Sequence, residues 1–290
     1  MNGANMTNPV KEDIIKHIDR LPGFSMTVSK VISLSNDLRA SPKDLIHAIS
    51  LDPVLTAEAL RLINSAYFGM KQQVSSLNRA VVLLGVNTIK NVAIGSAVIG
   101  AIKMRNNFNY FTSDQFWEHS LGVATGSKIL AARLGVPPQD RDEYFIAGLL
   151  HDIGKVILVQ HLPDEFARLT NPAYRPGEFK SVVEKEALGV NHAELGMLIA
   201  KKWELPPLLL ETINEHHAPR FGSDSDRLKA AVHLSDWYCN QNEIGIKNRH
   251  GMEMLSPEVW DILAVPERNA GDVFVNLGKM VEDAKVFLKN

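Results

Sequence analysis

Apolar residues recur at three-to-four spacing along most of the chain, the mark of amphipathic helices. In LDPVLTAEALRLINSAYFG, the set Leu55, Ala59, Leu62, Ile63 and Ala66 makes one apolar face. Helix starts are signalled repeatedly. Ser41 precedes Pro42, with Asp44 in the first turn; Asp52 precedes Pro53; Ser256 precedes Pro257 and Glu258. Gly69 is the expected C-terminal cap of the helix that begins at Pro53. SLNRAVVLLGVNTIKNVAIGSAV reads as two helices hinged near Gly85. No run alternates with period two over more than a few residues. Short helices joined by Gly, Pro and Asn turns predict an all-α fold, a multi-helix bundle.

RPGEF (175–179) and APRFGSDSD (218–226) read as loops, and RNNFNYFTSD (105–114) interrupts the helical pattern. The expected organisation is a lead-in over 1–20, an N-terminal helical half over 21–110, a His-rich helical half over 111–241 and a C-terminal helical segment over 242–290.

Composition narrows the function classes. The 290 residues are 45% hydrophobic and 22% charged, ordinary for a globular protein. Lys plus Arg number 31 and Asp plus Glu 33, giving a formal charge of −2, so no electrostatic partnership with nucleic acid or an anionic membrane is expected. The N-terminal stretch lacks an apolar signal-peptide core, and no apolar run reaches the length of a membrane span. A single cysteine, Cys239, excludes a disulfide within the chain and fits a cytoplasmic setting.

The candidate chemistry lies in the histidines. His17, His47, His161 and His250 read as half-exposed surface residues without chemical neighbours. The others form a series: His119 in FWEHSLG, His151 and Asp152 in LLHDIGK, His192 in GVNHAELG, His216 and His217 in INEHHAP, and Asp236 in HLSDWY. Neighbouring members are separated by about one helix and its return, so a bundle can bring all seven to one interior point. Imidazole and carboxylate together are the ligand set of Zn, Fe, Mn or Ni. On a helix, His151 and Asp152 stand about 100° apart and reach one ion from a single turn. Asp152 has two oxygens and can bridge two ions. His233 shares a helix face with Asp236 and reads as a plain core or surface histidine. Trp117 and Trp237 read as packing, and Cys239 as a small buried hydrophobe.

HDIGK, with His119 before it and Asp236 after it, resembles the HD superfamily of metal-dependent phosphohydrolases. The H…HD…D tetrad of that superfamily falls on His119, His151, Asp152 and Asp236. His192 and the His216–His217 pair resemble the HD-GYP branch, whose members hydrolyse cyclic dinucleotides with two or more metals. That resemblance implies a divalent transition metal, Fe or Mn first and Zn or Ni next, as one or two ions, with Asp152 between them. It also implies that Lys155 meets a nucleotide phosphate. Two departures stand out: HHAPRFGSDSD replaces the HHE…GYP stretch, and Gln115 stands where some members have a glutamate. The segment from Leu21 to Ile94, with its DPxLxxxxLRxxNSAYFG core, resembles the HDOD domain, an HD-related output domain of bacterial signalling proteins. This implies an all-helical regulatory module that contacts a signalling protein partner. In that core Arg61 and Asn64 are expected to tie helices rather than bind a ligand. Metal-dependent phosphohydrolase or phosphodiesterase activity is the alternative.

Overall fold

The computed structural model describes residues 8–288 except 22, 38, 103–111, 172, 176–177 and 247–254. His250 and most of the expected 105–114 boundary lie outside the described residues. Among the described residues every regular element is helical.

The N-terminal part comprises α1 (Pro9–Arg20), α2 (Met26–Asn36), α3 (Pro42–Ser50), α4 (Pro53–Ile63), α5 (Leu77–Leu84) and α6 (Val86–Ala101). Local chemistry sets their starts. The Ser41 hydroxyl accepts the Asp44 N–H while the Asp44 carboxylate accepts the Ser41 N–H, and Asp52 accepts the N–H groups of Val54 and Leu55 at 3.0 Å. Gly85, at φ 86°, makes the turn between α5 and α6. α4 ends at Ile63, not near Gly69. The Asn64 amide donates to the Leu60 and Val74 carbonyls, and its carbonyl oxygen accepts the Val74 N–H, which ends the helix.

The remaining helices are α7 (Ser113–Arg133), α8 (Arg141–Leu150), α9 (Gly154–His161), α10 (Pro163–Leu169), α11 (Lys180–Leu188), α12 (His192–Lys202), α13 (Pro207–Glu215), α14 (Asp226–Gln241), α15 (Glu258–Leu263), α16 (Ala270–Val273) and α17 (Leu277–Ala284). Here Ser256 gives no helix cap: α15 starts without a side-chain cap bond, and the Ser256 hydroxyl turns to the Glu258 carboxylate. α7 is the axis. It packs against α8, α14 and α17, and is buried nearly all round from Phe116 to Ala131. α8 touches α6, α7, α13 and α14, so it links the N-terminal helices to those that carry the histidines.

The C-terminal segment returns to this junction. Arg61 donates to the Val286 carbonyl at 2.9 Å, and the Phe287 ring packs on Tyr67 and Phe145. One continuous apolar core joins α1–α15, α17 and the final turn. No single helix among the described residues is long and apolar enough to cross a membrane.

Candidate metal centre

All seven singled-out residues converge. His119 lies on α7 and Asp236 on α14; His192 opens α12; His216 and His217 follow the last residue of α13. His151 and Asp152 do not lie within a helix, as the apolar run around them suggests. They occupy the turn between α8 and α9. Gly154 explains why the chain restarts there. A Cβ at this position would lie 1.9 Å from the His192 carbonyl oxygen and 2.6 Å from the Gly196 nitrogen. Only a glycine lets α9 approach the backbone of α12 so closely, and this approach sets Asp152 beside His192.

The ligand atoms form two groups: His119, His151 and Asp236 in one, and Asp152, His192, His216 and His217 in the other. Asp152 faces both. Its Oδ2 lies 3.4 Å from His151 Nε2 and 3.7 Å from His119 Nε2. Its Oδ1 lies 3.3 Å from His192 Nε2 and 3.7 Å from His216 Nε2. Asp236 Oδ1 stands 3.0 Å from His119 Nε2 and 3.5 Å from His151 Nε2, and Asn240 donates to it at 2.8 Å. His217 Nε2 meets His192 Nε2 at 2.6 Å. Atoms held about 2.1 Å from a common ion stand roughly 3–3.4 Å apart, and the separations here, from 2.6 Å to 3.7 Å, bracket that spacing.

The tautomers follow from the other ring nitrogen. Nδ1 of His119 faces the Ile244 carbonyl at 3.2 Å, that of His151 the Gly148 carbonyl at 2.7 Å, and that of His216 the Ile213 carbonyl at 2.7 Å. Nδ1 of His192 faces the Glu184 carboxylate at 2.5 Å. Each partner only accepts, so each Nδ1 carries the proton and donates. In its neutral form each ring then turns a lone pair at Nε2 toward the carboxylate oxygens of Asp152 and Asp236, and on His151 these carboxylates hold a proton at that position until an ion replaces it. Such an arrangement of acceptors calls for a cation between them. Fittingly, His151 Nε2, Asp152 Oδ1 and His216 Nε2 are buried without a hydrogen-bond partner. The residues fit a metal.

Electrostatics agrees. Burial favours the neutral carboxyl of Asp152, yet the charges of Lys155 and His151 hold it well below its ordinary range. Burial likewise opposes the charge of Asp236, and the hydrogen bond from His119 with the nearby charge of His151 pulls it well below. His151 is pushed up to about 10: burial works against its charge but the Asp152 and Asp236 carboxylates outweigh burial. His216 and His217 are driven well below their ordinary value by burial and by neighbouring imidazoles, which keeps them neutral.

Lys155, in the first turn of α9, is 8% exposed and pairs with Asp152 Oδ2. Glu118 and Glu215 are engaged elsewhere, with Lys285 and with Arg220 and Lys229. Glu184, fully buried, bonds both the ring and the backbone N–H of His192, and the sequence pattern does not single it out. His233 is buried, and its Nδ1 donates to the His216 carbonyl at 2.6 Å, fixing the peptide between His216 and His217. Gln115 caps α7 through the Thr112 N–H. Trp117 packs on Phe116, and Trp237 on Trp260. His17 and His161 do have neighbours: their rings stack at 4.5 Å, and His161 bonds Asp13 at 2.7 Å. A cavity of about 610 Å³ opens between α2, α6, α9 and α12, and none of the seven residues lines it.

The family model of the HDOD domain matches residues 21–219. The chain belongs to the HDOD domain family. An HDOD domain protein of unknown function from Geobacter sulfurreducens shares the fold at a TM-score of 0.75 and 23% identity, over 96% of each chain. A candidate phosphohydrolase from Shewanella amazonensis SB2B is similar at a TM-score of 0.71 and 26% identity, over 97% of this chain and 99% of that one. A candidate signal transduction protein from Marinobacter aquaeolei VT8 superposes at 0.73 with 20% identity, over all of this chain and 69% of that one. Among curated proteins, one of uncharacterised function from Treponema pallidum (strain Nichols) is 29% identical over 71% of this chain and 38% of its own length. Ribonuclease Y of Mycoplasma mycoides is 29% identical over 58% of this chain and 32% of its own. The HDOD chain thus spans about a third of the length of these two relatives.

Proposed function

We propose that this chain is an HDOD signalling module that keeps an HD-type centre for two divalent transition metal ions, with a nucleotide phosphate as its ligand. The division of Asp152 carries this reading: one oxygen faces His119 and His151, the other His192 and His216. His119, His151 and Asp236 would hold one ion and His192, His216 and His217 the other, with Asp152 common to both. Mixed imidazole and carboxylate ligands suit Fe or Mn, and Zn or Ni accept them too. Bound there, the ions supply polarisation of phosphoryl oxygens and a water made acidic near neutral pH. Lys155 places a positive charge beside the bridging carboxylate, where a phosphate oxygen would be met. Burial of the ligands excludes bulk water and strengthens each of these interactions.

The main role on this reading is regulatory, with the N-terminal helices contacting a signalling partner. Leu51, Val54, Val82 and Leu83 stand exposed at α3–α5 and support it. Hydrolysis is the second reading. It is favoured by Lys155, which a purely structural metal does not require, and by the likeness to proteins described as a phosphohydrolase and a ribonuclease.

Elemental analysis of the purified chain tests the centre. One to two equivalents of transition metal are expected, lost in His151→Ala and Asp152→Ala; a folded, metal-free wild type sinks the proposal. Turnover of cyclic dinucleotides, nucleotides and a generic phosphodiester with Mn or Fe(II) tests hydrolysis. Rates no higher than those of Asp152→Ala leave the regulatory reading.

A further inference from the structure

Lys180 opens α11, four residues before Glu184. Residues at this spacing share a helix face. Glu184 is the carboxylate that grips His192, so Lys180 lies on the side of α11 turned to the metal centre. It is half-buried, and its ammonium stands 4.9 Å over the Phe166 ring. Among the described residues no carboxylate forms an ion pair with it. Glu184 is committed to His192, and Asp152 pairs with Lys155. Burial first, and then the charge of Lys155, lower Lys180 to about 8. The charge of Lys155 is thus felt at Lys180, on the side of α11 that carries Glu184, and only Lys155 has a carboxylate of its own.

Charge sets the ligand. Asp152, Asp236 and Glu184 are three buried carboxylates. Two ammonium groups and, on the reading proposed above, two divalent ions exceed them by three positive charges. Buried charge is costly unless paired. A phosphodiester brings one negative charge; a phosphomonoester or terminal phosphate brings two.

We infer that Lys155 and Lys180 form a two-ammonium clamp for a doubly charged phosphate: a phosphomonoester or the end of an oligophosphate rather than an internal phosphodiester. The inference rests on the metal-centre reading for its charge count, and its test separates the two.

Calorimetric titration of the full metal-loaded chain with inorganic phosphate and with dimethyl phosphate, at a pH where the former is mainly a dianion, measures the preference. Phosphate should bind at least about ten-fold tighter, the scale of one charge-assisted hydrogen bond. Lys180→Met should lose about ten-fold for phosphate and far less for dimethyl phosphate, with unchanged metal content; Lys180→Arg should retain the wild-type preference. Equal binding of the two ligands, or phosphate binding by Lys180→Met as tight as wild type, overturns the clamp. Metal content is measured on the same samples. If the wild type takes up no metal, the metal-centre reading fails by itself, and the clamp is decided by phosphate binding to the metal-free chain with and without Lys180. Should the variant not fold, acetylation of Lys180 in the wild type decides: phosphate must slow it and dimethyl phosphate must not.

Discussion

The Glu184 carboxylate accepts two hydrogen bonds from His192, one from ring Nδ1 at 2.5 Å and one from the backbone N–H at 2.9 Å. The pair is fully buried. It fixes the ring, its tautomer and the first turn of α12 together. Burial opposes the charge of Glu184, but His192 outweighs burial and holds the carboxyl below its ordinary value. Partners of this kind typically change metal affinity 10–100-fold. Glu184→Gln should therefore weaken the ion beside His192 by about ten-fold and the one on the His119–His151–Asp236 side by clearly less. Competition with a chromophoric chelator measures both steps; equal weakening of both, or of neither, contradicts the assignment.

Gly154→Ala should be among the most damaging single substitutions in the chain. A methyl group there collides with the backbone of α12, which cannot move aside as a flexible side chain would. The separation of α9 from α12 then displaces Asp152 from His192. A loss of about 3 kcal/mol or more in denaturant unfolding is expected, the range of severe overpacking. A stable variant with full metal content would show that α9 has room to shift.

Metal uptake should release protons. In the metal-free chain His151 is held protonated, its value pushed up to about 10, and an ion must displace that proton. Calorimetry in two buffers of different ionisation enthalpy should show net release near pH 7 and tighter binding as pH rises. The same group affects the metal-free fold. Its folded value exceeds the ordinary 6.5, so its contribution is fully present below that pH and is lost as pH rises through about 10. His151→Ala should flatten the fall in stability across that window.

Lys229 is 1% exposed and gathers the loop that follows the two adjacent histidines. It bonds Glu211 at 3.1 Å, Glu215 at 3.3 Å and the Arg220 carbonyl. Lys229→Met leaves these acceptors without their buried donor, at a cost of about 3–5 kcal/mol. The ion beside His216 and His217 should be lost before the other. Thermal unfolding and elemental analysis of the same sample check both statements.

The convergence of the seven residues was legible in the sequence because polar residues inside apolar runs stand out one by one. The all-helical fold was legible for the same reason, in the periodicity and in the Ser41 and Asp52 starts. Glu184 was not: in KSVVEKEAL it is one of several charged residues, and only the packing of α11 on α12 distinguishes it. The turn at His151 and Asp152 was hidden because the apolar pattern of α8 continues into α9 without a break. Asn64 ended α4 early through a bond to Val74, ten residues away, which no local signal announces. The His17–His161 contact joins α1 to α9 across the fold and likewise has no local trace.

On the two-ion reading, the shared carboxylate of Asp152 would make the two halves of the centre interdependent. An ion taken by one oxygen would fix the side chain in the rotamer that presents the other oxygen, and would also withdraw electron density from it. The first step would preorganise the second and weaken it at once. Loading is therefore expected to be ordered, with unequal steps in a metal titration. Asp152→Asn, which keeps the shape but only one oxygen, should uncouple them, so that one side fills without reference to the other.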